Sequence, residues 1–596
     1  MSESLYCRTC AGVSRLRMSQ SAGALMPLIS RLLTLAAIVV LTGLLPWLSG
    51  GDPALSLLRA RSGEQEATAE TLSAIRQSVG LDNGPWFALT HWLSGLLLHG
   101  DAGVSWVSGL PVLPGMLQAT GVSITLMASS AGVAFTLALL LCAGTMLRGL
   151  QGRMPRPAGF TAALFTALPE FLLASVLLII GAVWLSLFPP YGWQGWHYAV
   201  LPSLALGIPA GGYLGRIYSD ALCETFKENW LTTWSVLGIK RRHTALAVVC
   251  RTLPGVMPLT GLVLVSLTGG AVAVEKVFAI PGLGRATLGA AAAGDLPALQ
   301  TGILILLLLA SFFGMLTGGV RILLLGRAVR LNAVPVPASS DHTQKSRPWI
   351  PLFCLLILVV MVCAGLPRDP LASDYLRLQP PSFALPFCAD AMGRDLLARV
   401  AHGTLNTCFQ ALIVSLICLV AGAIAGAFPR VMTGPVEVAN ALPPVIAGLV
   451  VAALNGPTAG GAIIAVTAVS WAPLAAHTAA RVAEIRARPY MQMLPLSGVG
   501  AIRRHVFYVF PALAGPLLRH ALLRLPGIAL ALASLGFLGL GAPPPVPEWG
   551  RVLAEGMPYI ERAGWTVFAP AGALALLSVM AVTLSNVRWK NPARAR

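Results

Sequence analysis

Apolar runs of about twenty residues return along nearly the whole of this chain, and each is long enough to cross ~30 Å of hydrocarbon as a helix. Lipid offers the backbone no hydrogen-bond partner, so a crossing segment must be a helix or a strand of a closed barrel. Barrel strands would alternate with period two, and these runs do not. With 56% hydrophobic residues, 11% charged residues and a mean hydropathy of +0.76, the bilayer is the solvent. The reading is all-α, with about twelve transmembrane helices. Spans are expected near 32–48, 117–144, 160–187, 198–217, 255–275 and 299–325, and then near 350–366, 406–428, 440–454, 461–479, 512–535 and 564–587.

The net charge of +18 suggests nucleic acid until the basic residues are placed. With the N-terminus inside, 28 of the 41 fall in inside segments, among them Arg148, Arg153, Arg156, Lys240, Arg241, Arg242, Arg503 and Arg504. Eleven fall outside, including Lys276, Arg285, Arg394, Arg399 and Arg551, while Arg519 and Arg524 lie near the start of a late span. This bias follows the positive-inside rule and implies a multi-pass protein with both termini cytoplasmic. Cysteines are scattered, several inside apolar runs, and the Cys7/Cys10 pair has no second pair at zinc-site spacing, so no metal is expected. Met18 and Met26 are alternative starts, and the run after Arg31 reads as an uncleaved first span.

The chain divides into an N-terminal cytoplasmic extension (1–27), a first half (28–330) with a large outside loop at about 50–115 that carries short helices, a linker rich in Pro, Ser and charge (331–349), and a second half (350–596). The halves repeat. Leu168-Pro169 opens a span in the first and Leu442-Pro443 in the second. Next, Trp230 stands eight positions before Gly238, with Trp234 between and Arg241 and Arg242 after. Tyr490 stands eight before Gly498, with Leu494 between and Arg503 and Arg504 after. A Gly-Arg pair then follows in an outside loop of each half, at Gly284-Arg285 and Gly550-Arg551. Both halves run in the same direction, which implies a pseudo-twofold axis along the membrane normal and a central path between them.

From Leu267-Thr268-Gly269-Gly270 through Glu275-Lys276-Val277-Phe278 to Pro281-Gly282-Leu283-Gly284-Arg285, the first half resembles the first permease subunit of dipeptide, oligopeptide and nickel ABC importers. Gly51-Asp52-Pro53 and Gly80-Leu81-Asp82 are similar too. Met392-Gly393-Arg394-Asp395, Ala533 to Gly541, Pro543-Pro544 and Trp549-Gly550 resemble the partner permease. The resemblance covers about Leu28 to Arg588 and implies two permeases of the type I importer fold joined head to tail. It implies that the loops at Gly238 and Gly498 dock ATPase subunits, and that a periplasmic solute-binding protein docks near Gly284, Arg285, Arg394, Asp395 and Trp549. The Glu-Ala-Ala positions of the family's docking loop read Thr233-Trp234-Ser235 and Met493-Leu494-Pro495 here, and Pro495 is costly inside a helix.

Glu170, Glu437 and Arg519 are the ionisable residues placed on a translocation path. Carboxylates at membrane depth are expensive and often line polar routes. Glu170 is read either as facing a cationic cargo group or as reaching water near the cytoplasmic end. Interfacial belts account for Tyr191, Trp193, Trp196 and Trp549 without a ligand. No Gly-x-x-x-x-Gly-Lys-Ser/Thr occurs, and none of the lysines follows a glycine, so the chain is expected to bind no cofactor and to borrow ATP-driven motors. No hydrolase motif appears, so it is not read as an enzyme. The expected cargo is peptides, nickel chelates or metal-opine complexes, carried across a bacterial inner membrane. An ion-gradient-driven secondary transporter, which can share the six-plus-six plan, and a membrane scaffold without transport are the alternatives.

Overall fold

The structure, a computed structural model, describes residues 53–61, 68–80, 84–166, 169–325, 349–428, 442–486 and 488–585, with isolated positions at 36, 40, 44, 432, 435, 436, 439 and 440. The expected first span, apart from three of those isolated positions, lies outside the described residues, as do the linker up to 348 and Glu437. Among the described residues the chain is helical, with two isolated bridges and no strand.

In the first half, α1 (Val112–Leu150) is followed by a short helix, Gly159–Thr166, and then by α2 (Glu170–Leu177), which continues as a wider π turn to Trp184. Next come α3 (Trp196–Thr225), α4 (Asn229–Val236), α5 (Arg241–Val277), α6 (Leu283–Ala293) and α7 (Leu296–Leu325). The second half repeats the plan with α8 (Trp349–Gly365), α9 (Leu396–Ala427), α10 (Pro444–Asn455), α11 (Ala459–Arg486), α12 (Pro489–Met493), α13 (Phe510–Leu538), α14 (Trp549–Gly556) and α15 (Trp565–Ser585). Six helices among the described residues have the length and apolarity to cross a membrane, and three shorter apolar helices accompany them. The loop after the first span carries Pro53–Arg61, Ala69–Val79 and Pro85–Ser94 as short helices, as expected.

The expected span at 160–187 is not one helix. It is broken at Pro169, which has no backbone N–H to donate and serves as the N-cap of α2. Pro443 caps α10 in the same way. Each half therefore starts a short apolar helix at a proline, and the second of these prolines lies against Gly269 of the first half.

Small residues set the closest packing, as expected where lipid supplies no hydrophobic drive between helices. Gly207, Gly211 and Gly215 recur every four residues along α3, and a Cβ on any of them would come within 2.6–2.8 Å of α1, at Val133, Ala134 and Leu141. The second half uses the same helix pair with the roles exchanged. Gly422 and Gly426 on α9 receive Leu474 and Thr478 of α11. One large apolar core runs through both halves.

The bundle has two faces. One carries α4 and α12, which link α3 to α5 and α11 to α13. The opposite one carries α6 and α14, which follow the other ends of α5 and α13.

Candidate functional site

The repeated aromatic-to-glycine stretches fold into the same turn. On α4 the helix ends at Val236. Gly238 adopts φ +68°, its N–H bonds the Ser235 carbonyl, and the N–H of Ile239 reaches back to the Trp234 carbonyl at 3.2 Å. After α12, Gly498 adopts φ +76°, its N–H bonds the Pro495 carbonyl, and the N–H of Val499 reaches the Leu494 carbonyl at 3.1 Å. A left-handed residue is needed to turn the chain here, and only glycine takes that conformation without steric cost. α12 is five residues long against eight in α4, and it ends before Pro495, so the proline lies in the turn and interrupts no helix.

Each turn is anchored behind and bare in front. Trp230 packs against the cluster of Cys142, Leu222 and Val248, donates Nε1–H to Glu228 at 2.7 Å, and meets the Trp234 ring edge-on at 5.0 Å. Glu228, which caps α4, also accepts from Arg251 of α5 at 3.2 Å. In the second half Met491 is buried and Leu494 packs on the main core. Glu484 of α11 pairs with Arg481 at 2.8 Å and with Arg488, the cap of α12, at 3.5 Å. At the tips Val236 is 82% exposed and Leu496 80%, with Leu237 and Met493 also exposed. Arg241, Arg242 and Arg503 are exposed beside them, and Arg504 is half-buried. Two apolar knobs ringed by cations thus stand on one face.

Between the halves runs a seam. A Cβ on Gly270 of α5 would lie 3.0 Å from Glu170 Oε1, and one on Gly269 would lie 2.6 Å from Pro443 of the second half. Next to Glu170, Phe171 meets the ring of Phe537 on α13 at 5.4 Å. Lys276 of α5 crosses to the same residue, donating to the Phe537 carbonyl at 3.0 Å with its ammonium 5.6 Å from the ring centre. Arg519 is exposed on α13 and makes none of these contacts.

On the α6/α14 face, buried carboxylates tie each helix hairpin together. Glu275 of α5 accepts from Ser123 Oγ and from the Arg285 backbone N–H at 2.9 Å, near the start of α6. Ser123 in turn accepts from Leu283 N–H at 2.8 Å. Glu548, the N-cap of α14, reaches the other way and accepts from Ala542 N–H at 3.3 Å, past the end of α13. Burial pushes Glu548 up to about 7, against the pull of that amide and of Arg551. Nearby, the guanidinium of Arg399, buried on α9, binds Asp390 at 2.7 Å and Glu555 of α14 at 2.8 Å. Arg394 joins both acids, and Arg551 joins Glu555. Burial alone would raise the Glu555 carboxyl, but Arg399, Arg551 and Arg394 hold it below its ordinary value. Asp395 caps α9 through Leu397 N–H at 2.8 Å and pairs with Arg368.

These placements correct the surface picture drawn from sequence. Trp549 is fully buried, with its indole N–H on the Val400 carbonyl and Thr404, so its ring cannot touch a docked protein. Asp395 and most of Arg394 are turned inward, and Gly284 is buried against Val272. Arg285 alone of the five is exposed.

Two stretches of the chain, residues 140–329 and 416–588, match the family described as binding-protein-dependent transport system inner membrane component. The chain belongs to that family. It carries two permease units in one chain, which accords with the duplicated turns, broken spans and hairpins. The di/tripeptide transport system permease protein DppC of Pseudomonas aeruginosa is 35% identical over 252 residues, 39% of this chain and 82% of its own length. The glutathione transport system permease protein GsiC of Escherichia coli is 30% identical over 274 residues, 46% of this chain and 87% of its own. The dipeptide transport system permease protein DppC of Haemophilus influenzae is 28% identical over 250 residues, 39% of this chain and 84% of its own. Permeases of this family are multi-pass transport proteins and not enzymes. Family membership implies ATPase and substrate-binding partners in general.

Sequence reading missed the seam and the Asp390–Arg399–Glu555 network. The charge pattern puts Lys276 and Arg399 in outside loops, whereas both lie on helices and turn inward. A lysine closing an apolar, glycine-rich run was the available signal for the first.

Proposed function

We propose that this tandem permease carries short peptides inward across a bacterial inner membrane, powered by separate ATPase subunits that seat on α4 and α12. The observation that carries this reading is the pair of matching left-handed turns, each with a bare apolar tip and basic neighbours on one face of the bundle. A short surface helix with an apolar tip fits a cleft on a soluble partner. The arginines around it favour the cytoplasmic side, which supports a topology with both termini inside. A solute-binding protein then delivers cargo at the α6/α14 face, where Arg285 is exposed. ATP is consumed by the partner subunits. Closure of the motors draws the two turns together and moves the halves as rigid bodies, opening and closing the seam.

Names of the relatives support a peptide cargo over nickel chelates or metal-opine complexes, since all three are named for di- or tripeptide or glutathione transport. Replacing Leu237 and Leu496 with aspartate is expected to abolish co-purification of the ATPases and peptide uptake, with membrane insertion unchanged. Undiminished co-purification would overturn the docking role. Uptake that persists without ATPases and collapses with the proton gradient would favour a gradient-driven carrier. Competition by a nickel chelate or metal-opine complex, but not by peptides, would reassign the cargo.

A further inference from the structure

Two ionisable groups of opposite kind, one acidic and one basic, stand at the seam without a counter-ion among the described residues. Glu170 begins α2 with its carboxylate against Gly270, and no cation faces it among the described residues. Lys276 is largely enclosed, and among the described residues its ammonium has the Phe537 carbonyl and ring as partners and no carboxylate. An ionisable group without a partner in a low-dielectric setting is costly, and within a membrane protein such groups commonly mark a substrate or ion path. Gly270, beside Glu170, and Lys276 stand six residues apart on α5, a rise of about 9 Å between their backbone positions.

That separation suits one class of cargo. An extended chain covers about 3.5 Å per residue, so the ammonium and carboxylate of a di- or tripeptide stand roughly 7–10 Å apart. Phe171, next to Glu170, and Phe537, under Lys276, are buried against each other in this structure and would face a short backbone only once the halves part. In the closed seam, Lys276 is held by a carbonyl of the opposite half. When the halves part, that acceptor leaves and the ammonium is freed.

We propose that Glu170 and Lys276 read the two termini of a zwitterionic di- or tripeptide as it passes the seam, Glu170 taking the N-terminal ammonium and Lys276 the C-terminal carboxylate. This rests on the reading of the chain as a peptide permease. Lys276 thereby serves twice, as a latch between the halves and as a cargo contact that replaces the latch.

The test is uptake of labelled trialanine by cells carrying the whole transporter, competed by unlabelled trialanine, its N-acetyl form and its C-amidated form. Each blocked form is expected to compete at least tenfold more weakly than the free peptide. Glu170→Gln should remove the penalty for acetylation and keep that for amidation, and Lys276→Gln should do the reverse. The binding protein is the same throughout, so a changed ratio reports the permease. Uptake that falls with both ratios intact, or that does not change at all, would overturn the proposal. If a neutral variant fails to insert, Glu170→Asp and Lys276→Arg take its place. A shifted acetylation ratio in the first and a shifted amidation ratio in the second support terminal reading, and both ratios at their wild-type values overturn it. Wild-type cells that take up no trialanine would instead refute the peptide reading itself.

Discussion

Gly269 and Pro443 belong to different permease units, yet a Cβ on Gly269 would lie 2.6 Å from the Cβ of Pro443. Neither partner can yield easily, since one is helix backbone and the other a ring that caps a helix. Gly269→Ala therefore overpacks the seam by about 1–3 kcal/mol. In the proposed cycle the halves part, so the cost falls on the shut state, and each 1.4 kcal/mol is about a tenfold change in its population. Peptide uptake is expected to fall about tenfold or more with insertion and ATPase docking intact. Normal uptake by this variant would mean that the two residues do not meet during the cycle.

At Gly238 and Gly498 backbone conformation, not packing, resists substitution. No atom lies within 4 Å of a Cβ at either position, so substitution meets backbone strain and no clash. A left-handed conformation costs an ordinary L-residue roughly 1–2 kcal/mol and asparagine less. Coupling, measured as peptide-stimulated ATP hydrolysis, should therefore fall in the order glycine, asparagine, alanine, valine at both sites. Equal activity for valine and asparagine would show that the left-handed turn is dispensable.

Features fixed by local rules were legible in the chain. The αL glycines, the proline that starts each broken half-span, and eleven of the twelve span positions follow from neighbouring residues, and the described residues carry a helix at each of those eleven. Their limits were less legible where polarity masks a helix. α9 begins at Leu396, ten residues before the expected span at 406, because its first turn carries Arg399 and is capped by Asp395. Contacts across the seam could not be read at all. Lys276 and Phe537 are 261 positions apart, and no local pattern specifies which carbonyl an ammonium will find.

Arg399 supplies a further prediction. Its side chain is buried and bridges Asp390 and Glu555, joining the start of α9 to α14. Removing one partner of a buried ion network strands the others, at a cost of about 3–5 kcal/mol. Arg399→Ala should lower the thermal midpoint of the detergent-solubilised protein markedly, and Arg399→Lys should recover only part because one ammonium replaces a planar fork. Arg481→Ala, at an exposed pair, is the control and should leave the midpoint nearly unchanged. Similar midpoints for Arg399→Ala and Arg481→Ala would show that the network adds nothing to stability.

Glu548 makes the stability of the α13–α14 hairpin depend on pH. Burial pushes its carboxyl up to about 7, above the ordinary 4.5, so the folded protein holds a proton that the unfolded chain releases between those values. Stability from this group is therefore fully present below about pH 4.5, declines as pH rises toward 7, and is flat beyond; the whole change is on the order of 3 kcal/mol. Glu548→Gln keeps the shape and removes the titration. Thermal melts at pH 5 and pH 8 should show the wild type losing more stability than Glu548→Gln on going to the higher pH, with the difference developing between pH 5 and 7. Parallel profiles for the two proteins would mean that Glu548 is ionised throughout, and that the α13–α14 hairpin accommodates a buried charge through Arg551 and the Ala542 amide.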